Sequence, residues 1–159
     1  MLSINLALSE LPSWIILITV GAVGFGYWAI VSIRNKRELF EQGIENRFPN
    51  DSIRFIDKNA ILRAQESRGY SQVEGMGYLI LTKDELYFEM MLFSNTIAIR
   101  LDRISGLSET RRIKGKSSIK PMLRIDYTDS SGKDDAIGIS VKDLSGWKKK
   151  LKTQMDELN

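Results

Sequence analysis

The stretch Leu86-Tyr87-Phe88-Glu89-Met90-Met91-Leu92-Phe93-Ser94-Asn95-Thr96-Ile97-Ala98-Ile99-Arg100-Leu101-Asp102 decides the fold class. Leu86, Phe88, Met90 and Leu92 alternate with Tyr87, Glu89, Met91 and Phe93. Beyond the turn residues Ser94-Asn95, the residues Ile97, Ile99 and Leu101 alternate with Thr96, Ala98, Arg100 and Asp102. Successive side chains of a strand point to opposite faces, so this period of two predicts half-buried antiparallel strands.

The pattern extends in both directions. Downstream, Leu123, Ile125 and Tyr127 alternate with Arg124, Asp126 and Thr128, and Ile137, Ile139 and Val141 repeat it after the turn Asp129-Ser130-Ser131-Gly132. Runs near Ala60–Ala64, Gly77–Thr82 and Ile104–Arg111 bring the expected strands to seven, joined by hairpin-length connections such as Lys83-Asp84 and Asp102-Arg103. The period then changes. Asp143 is a plausible helix N-cap, and Leu144, Trp147, Leu151, Met155 and Leu158 form an apolar stripe at three- and four-residue spacing. A final amphipathic helix is therefore expected to close the domain.

Upstream of the strands the chain reads differently. Trp14 to Ile33 is an uninterrupted run without charge, followed by Arg34-Asn35-Lys36-Arg37. About twenty apolar residues at a rise of about 1.5 Å span a hydrocarbon core of about 30 Å. This predicts a transmembrane anchor over residues 11–33, with a short outer N-terminus at 1–10 and the rest on the cytoplasmic side of an inner or plasma membrane. A cleaved leader is disfavoured, because no cation precedes the run and no small-residue cleavage site follows it. Thr19, Ala22, Gly26 and Ala29 draw a stripe of small residues down one helical face, through which two anchors could self-associate; such residues are also simply frequent in membrane helices. Residues 34–52 read as a juxtamembrane helical stalk, with Phe40, Ile44 and Phe48 on one side, ended by Pro49-Asn50-Asp51-Ser52. The remaining residues, 53–159, form the strand-rich domain.

Composition narrows the function. All 23 Lys and Arg residues and 19 of the 20 acids follow Ile33, which leaves that part at +4. An excess this mild suits an anionic surface or partner and does not argue for nucleic acid. The chain has no Cys and no His. Disulfides, thiol nucleophiles, Ser-His-Asp triads and His-ligated metals are thereby excluded. The chain reads as a binding protein and not an enzyme, with no cofactor or metal site.

Strands followed by a helix with an inward Trp resemble the pleckstrin-homology-like (PH-like) superfamily, most closely its GRAM and bacterial PH-like branch. The resemblance lies in Glu74-Gly75-Met76-Gly77-Tyr78-Leu79-Ile80-Leu81-Thr82, Asp84-Glu85-Leu86-Tyr87-Phe88, Ile97-Ala98-Ile99 with Leu101-Asp102-Arg103-Ile104, Leu123-Arg124-Ile125, and Trp147. It covers roughly residues 58 to 158. It implies an α+β class: after the anchor and stalk, a seven-stranded antiparallel barrel capped by the C-terminal helix. Such folds bind phosphoinositides, other lipids, peptides or proteins, so the resemblance does not select a ligand. Lipid-binding members carry closely paired cations on the first strand and the loop after it. Here Arg63 and Arg68 are separated by Ala64-Gln65-Glu66-Ser67.

One segment stands out as a candidate site. Arg111, Arg112, Lys114, Lys116 and Lys120 lie within Arg111–Pro121, with no acid between Thr110 and Asp126. This segment is expected to be a long loop between the fifth and sixth strands. It would meet a protein partner or anionic lipid headgroups, or simply be a solvated connection. Gly115-Lys116-Ser117 is not a phosphate loop, because Thr110 stands where the first Gly is required. Asp126, Asp129, Asp134 and Asp135 lack calcium-ligand spacing and read as an exposed hairpin.

Overall fold

The computed structural model describes residues 13–48, 52–69, 74–92 and 96–158. The expected outer N-terminus at 1–10, the breaker residues Pro49-Asn50-Asp51 and the turn at Phe93-Ser94-Asn95 lie outside the described residues. The chain divides into two compact units, Met1–Ile44 and Glu45–Asn159.

The described residues at the start of the chain form one helix, α1 (Ser13–Arg47). The transmembrane anchor itself is corrected: among the described residues, no helix is long and apolar enough to cross a membrane. A single-pass protein of an inner or plasma membrane, N-terminus out, is accordingly not supported. Of the small-residue stripe, Ala22 is exposed and Gly26 half-buried, while the side chains of Thr19 and Ala29 lie outside the described residues.

The second unit holds seven strands: β1 (Phe55–Gln65), β2 (Gly75–Leu81), β3 (Glu85–Met90), β4 (Thr96–Arg100), β5 (Ile104–Ile113), β6 (Lys116–Thr128) and β7 (Asp134–Ser140). The helix α2 (Leu144–Asp156) follows. All paired strands are antiparallel, in the order β4-β3-β2-β1-β7-β6-β5. β4 and β5 are the two edges and do not pair, so the expected seven-stranded barrel is a half-barrel. The 3-10 turn Leu101–Arg103 carries the chain directly from one edge strand to the other.

Alternation builds the core as the sequence implies. Leu86, Phe88 and Met90 of β3, Ile97 and Ile99 of β4, Leu123, Ile125 and Tyr127 of β6, and Ile137 and Ile139 of β7 share one buried cluster. Trp147 and Leu151 of α2 enter the same cluster, and the Trp147 ring lies 4.7 Å from that of Phe55. Asp143 caps α2, its Oδ1 accepting from the Gly146 N–H at 2.9 Å. Leu158, at the end of the expected stripe, is exposed. On the outer face of β3, Phe48 packs edge-on against Tyr87 at 4.7 Å, and Arg47 donates to Glu89 at 2.5 Å. Met90 is buried, whereas Leu92 is 69% exposed.

Candidate binding surface

The segment expected to be a long basic loop is instead the end of a β-hairpin. β5 and β6 turn over only two residues, Lys114 and Gly115, between the paired residues Ile113 and Lys116. Both turn residues have positive φ, 42° at Lys114 and 77° at Gly115. Positive φ at both positions gives the turn whose twist matches that of antiparallel strands. Glycine adopts it freely; at Lys114 it is unusual, which is why the sequence does not announce the turn.

The hairpin is kinked. Thr110 pairs with Met122, yet Arg112 pairs with Ser117, so Ser118, Ile119, Lys120 and Pro121 stand opposite Arg111 alone. A bulge of this kind bends a strand and re-aims its side chains. Pro121 cannot donate to a ladder and fits such a break. On the other strand the Thr110 hydroxyl donates to the Arg112 carbonyl at 2.7 Å and accepts from the Arg112 N–H at 3.1 Å.

The kink brings the hairpin end against the outer face of β7. Ile113 is buried with Ala64, Met122 and Ala136 in a second apolar cluster, separate from the main core. Gly138 leaves room for it: a Cβ there would lie 2.8 Å from Ile113 Cγ2 and 3.0 Å from Met122 Sδ. Polar contacts reinforce the clamp. Lys116 Nζ lies 3.4 Å from Glu74, whose other oxygen accepts from Arg63 at 3.0 Å, while Arg63 Nε donates to Ser140 Oγ at 3.0 Å. The Arg63 hydrogen bond, helped by Lys116 against the opposing effect of burial, holds the Glu74 carboxyl below its ordinary pKa.

The structure therefore places the five predicted cations as follows. Arg111 and Arg112 are exposed on β5, Lys114 is exposed in the turn, Lys116 is half-buried and paired, and Lys120 is exposed on the bulge. Beside Lys120, Ile119 is 96% exposed. A groove of about 630 Å³ runs along the bulge, lined by Asn59, Ile61 and Arg63 of β1, Ser117–Pro121 of β6, and Ser140, Val141 and Lys142. None of these lining residues is acidic. Sequence reasoning found Lys120 but missed Ile119, whose exposure follows from a bulge with no sequence signal except Pro121.

Other surfaces are less suited to a charged ligand. A hollow of about 710 Å³ includes Arg47, Phe48, Tyr87, Arg100 and Asp102, but Arg47 is bound to Glu89 and Arg100 to Asp102. Burial, with a hydrogen bond to Glu85 adding to it, pushes the Tyr87 hydroxyl there up to about 12.

The acidic β6–β7 hairpin also differs from expectation. Asp129 organises the turn, accepting from the N–H groups of Ser131 and Lys133 at 2.8 and 2.9 Å. Asp135 is buried and accepts from Gln65, from the Ser67 N–H and hydroxyl, from Tyr127 and from the Ala136 N–H, at 2.7 to 2.9 Å. Burial alone would raise its pKa. The hydrogen bonds from Gln65, Ser67 and Tyr127 outweigh that and hold the carboxylate below its ordinary range. The position is a structural tie between β1, β6 and β7, and among the described residues no acidic cluster suits a metal ion.

No protein-family profile matches the chain, and no curated protein matches it. Solved structures share the fold. A chain in the 8S snRNP assembly intermediate is 12% identical with a TM-score of 0.54, over 69% of this chain and 86% of that one. The C-terminal domain of an unknown protein from Leishmania infantum is 13% identical with a TM-score of 0.51, over 74% of this chain and 95% of its own. At these identities the likeness is one of fold alone.

Proposed function

We propose that the chain is a PH-like, non-catalytic binding module that docks an acidic protein partner through the end of the β5–β6 hairpin. The order of seven antiparallel strands and a capping helix with an inward Trp supports the PH-like reading. One observation carries the functional reading: a hairpin end packed on β7 presents Arg111, Arg112, Lys114 and Lys120 to solvent, with an almost fully exposed Ile119 next to Lys120. Exposed cations steer acidic partners, and an exposed apolar side chain on the same hairpin end supplies area that becomes buried on contact. With neither His nor Cys, the chain lacks the commonest general base and the thiol nucleophile, which favours binding over catalysis.

The test replaces Arg111, Arg112, Lys114, Lys116 and Lys120 together by Gln. Four of these charges are exposed and contribute little to stability, and the half-buried Lys116 gives up one 3.4 Å pair with a Glu74 that Arg63 still holds, so the melting temperature should hold within a few degrees. Acidic proteins captured from a cell extract by the immobilised intact chain should be lost with the variant, and lost from the parent as salt rises. Capture of the same proteins by both would refute the reading. Salt-sensitive binding to anionic vesicles, without protein capture, would instead favour the lipid-headgroup reading that shares these cations.

A further inference from the structure

We infer that the groove between β1 and the β6 bulge seats an extended acidic peptide segment that carries an apolar side chain. This rests on the proposed binding role and deepens it by naming where the partner enters and what it presents. The groove arises because β6 leaves its ladder. β6 and β7 pair from Leu123 and Ile139 onward, and the bulge at residues 118–121 swings away from the chain at Ser140–Lys142. β1 continues on the other side, paired with β7 from Ile61 and Ser140. The result is an open channel with a strand on one side and a bulge on the other.

Its chemistry is two-sided. Ile61, Ile119, Pro121 and Val141 supply apolar surface, while Lys120 and Lys142 supply positive charge that no lining residue opposes; Arg63 lines the groove as well, its charge shared with Glu74. Glu74, which pairs with Arg63, lies outside the lining and is also held by Lys116. Charge complementarity therefore calls for carboxylates, and the apolar wall calls for a hydrophobic residue among them. A lipid headgroup or a free anion would use the cations and leave Ile119 and Pro121 without a role. An acidic segment with one apolar anchor uses both.

The groove makes a demand that the exposed cations alone do not. Two fluorescent probes of about eight residues, matched in Asp and Glu content, differ only in whether a central position is Leu or Ser. The intact chain should bind the Leu probe about tenfold more tightly than the Ser probe. Ile119→Ser should remove that preference while leaving the melting temperature unchanged, since Ile119 is 96% exposed. Equal affinity for the two probes, or a preference that survives Ile119→Ser, overturns the inference. Failure here is distinct from failure of the broader reading. If the groove is wrong and the hairpin reading right, the five-Gln variant still loses its acidic partners while the Leu preference is missing.

Discussion

Replacing Gly138 by alanine puts a methyl group where the hairpin end lies on β7. Its carbon would stand 2.8 Å from Ile113 Cγ2 and 3.0 Å from Met122 Sδ. Ordinary carbon contacts fall at about 3.5–4.0 Å, so Ile113 must retreat by roughly 0.7 Å or more. The Met122 thioether can bend away, but Ile113 Cγ2 is one bond from Cβ, so its retreat shifts the strand. Overpacking of this kind costs about 1–3 kcal/mol. Ile113→Ala alone removes a buried side chain and costs about 2–5 kcal/mol. The two should not add. With Ile113 shortened, the methyl introduced by Gly138→Ala occupies part of the vacated space, and the double variant should be less destabilised than the sum by about 1 kcal/mol. Urea denaturation of the four proteins, followed by circular dichroism, measures this directly through the shift in midpoint. Gly138→Ala as stable as the parent, or strict additivity in the double variant, would mean that the hairpin does not rest on β7 and that the groove has no fixed wall.

Three further outcomes follow from the same packing. Trp147→Ala should cost about 3–5 kcal/mol, read as a fall in melting temperature, because the indole fills the main core against Phe55. Gly77→Ala should destabilise more than Gly138→Ala in the same thermal melt, because its methyl meets the Glu89 carbonyl of the backbone, which cannot rotate away. For Asp135, the folded state holds the pKa below the unfolded value of about 3.9. Its contribution is thus complete above that pH and is lost as pH falls through the folded value. Asp135→Asn should lower stability at neutral pH and flatten the acid limb of a stability–pH profile measured by urea titration.

The strands are legible where one face is buried and the other wet, as in β3 and β4, because a period of two then survives in the composition. α2 is legible from its stripe and from Asp143. The hairpin end is not. Its cations mimic a solvated loop, only Ile113 is buried in it, and its turn puts a lysine where Asn or Gly would have signalled positive φ. The start of β1 is hidden because Phe55 and Ile56 are followed by Asp57-Lys58-Asn59, where a bulge breaks the alternation and Asp57 is buried on the Asn59 and Lys142 N–H groups. Asp135 reads as exposed in the sequence, since a buried aspartate is recognisable only from partners remote along the chain, Gln65 and Ser67. The apolar run after Trp14 forms a helix, as its composition implies, but among the described residues it does not make the membrane span that its length suggests. Of the candidate site, the cations are visible in the sequence and the apolar partner at Ile119 is not.

The strand order has a consequence for how the chain reaches its native state. β2-β3-β4 and β5-β6-β7 are each meanders of neighbouring strands, and each can zip locally from its own turns. β1 alone joins them, pairing Ile61 both with Met76 and with the distant Ser140. Loop-closure entropy makes that second pairing the slow event, and folding rates fall as such non-local contacts come to dominate. β1 is thus the seam along which two early-forming halves are joined. Contacts within either meander already exist when the halves combine, so mutations there should act mainly on the folding rate, while those at the late-closing β1–β7 ladder should act mainly on how long the assembled sheet persists.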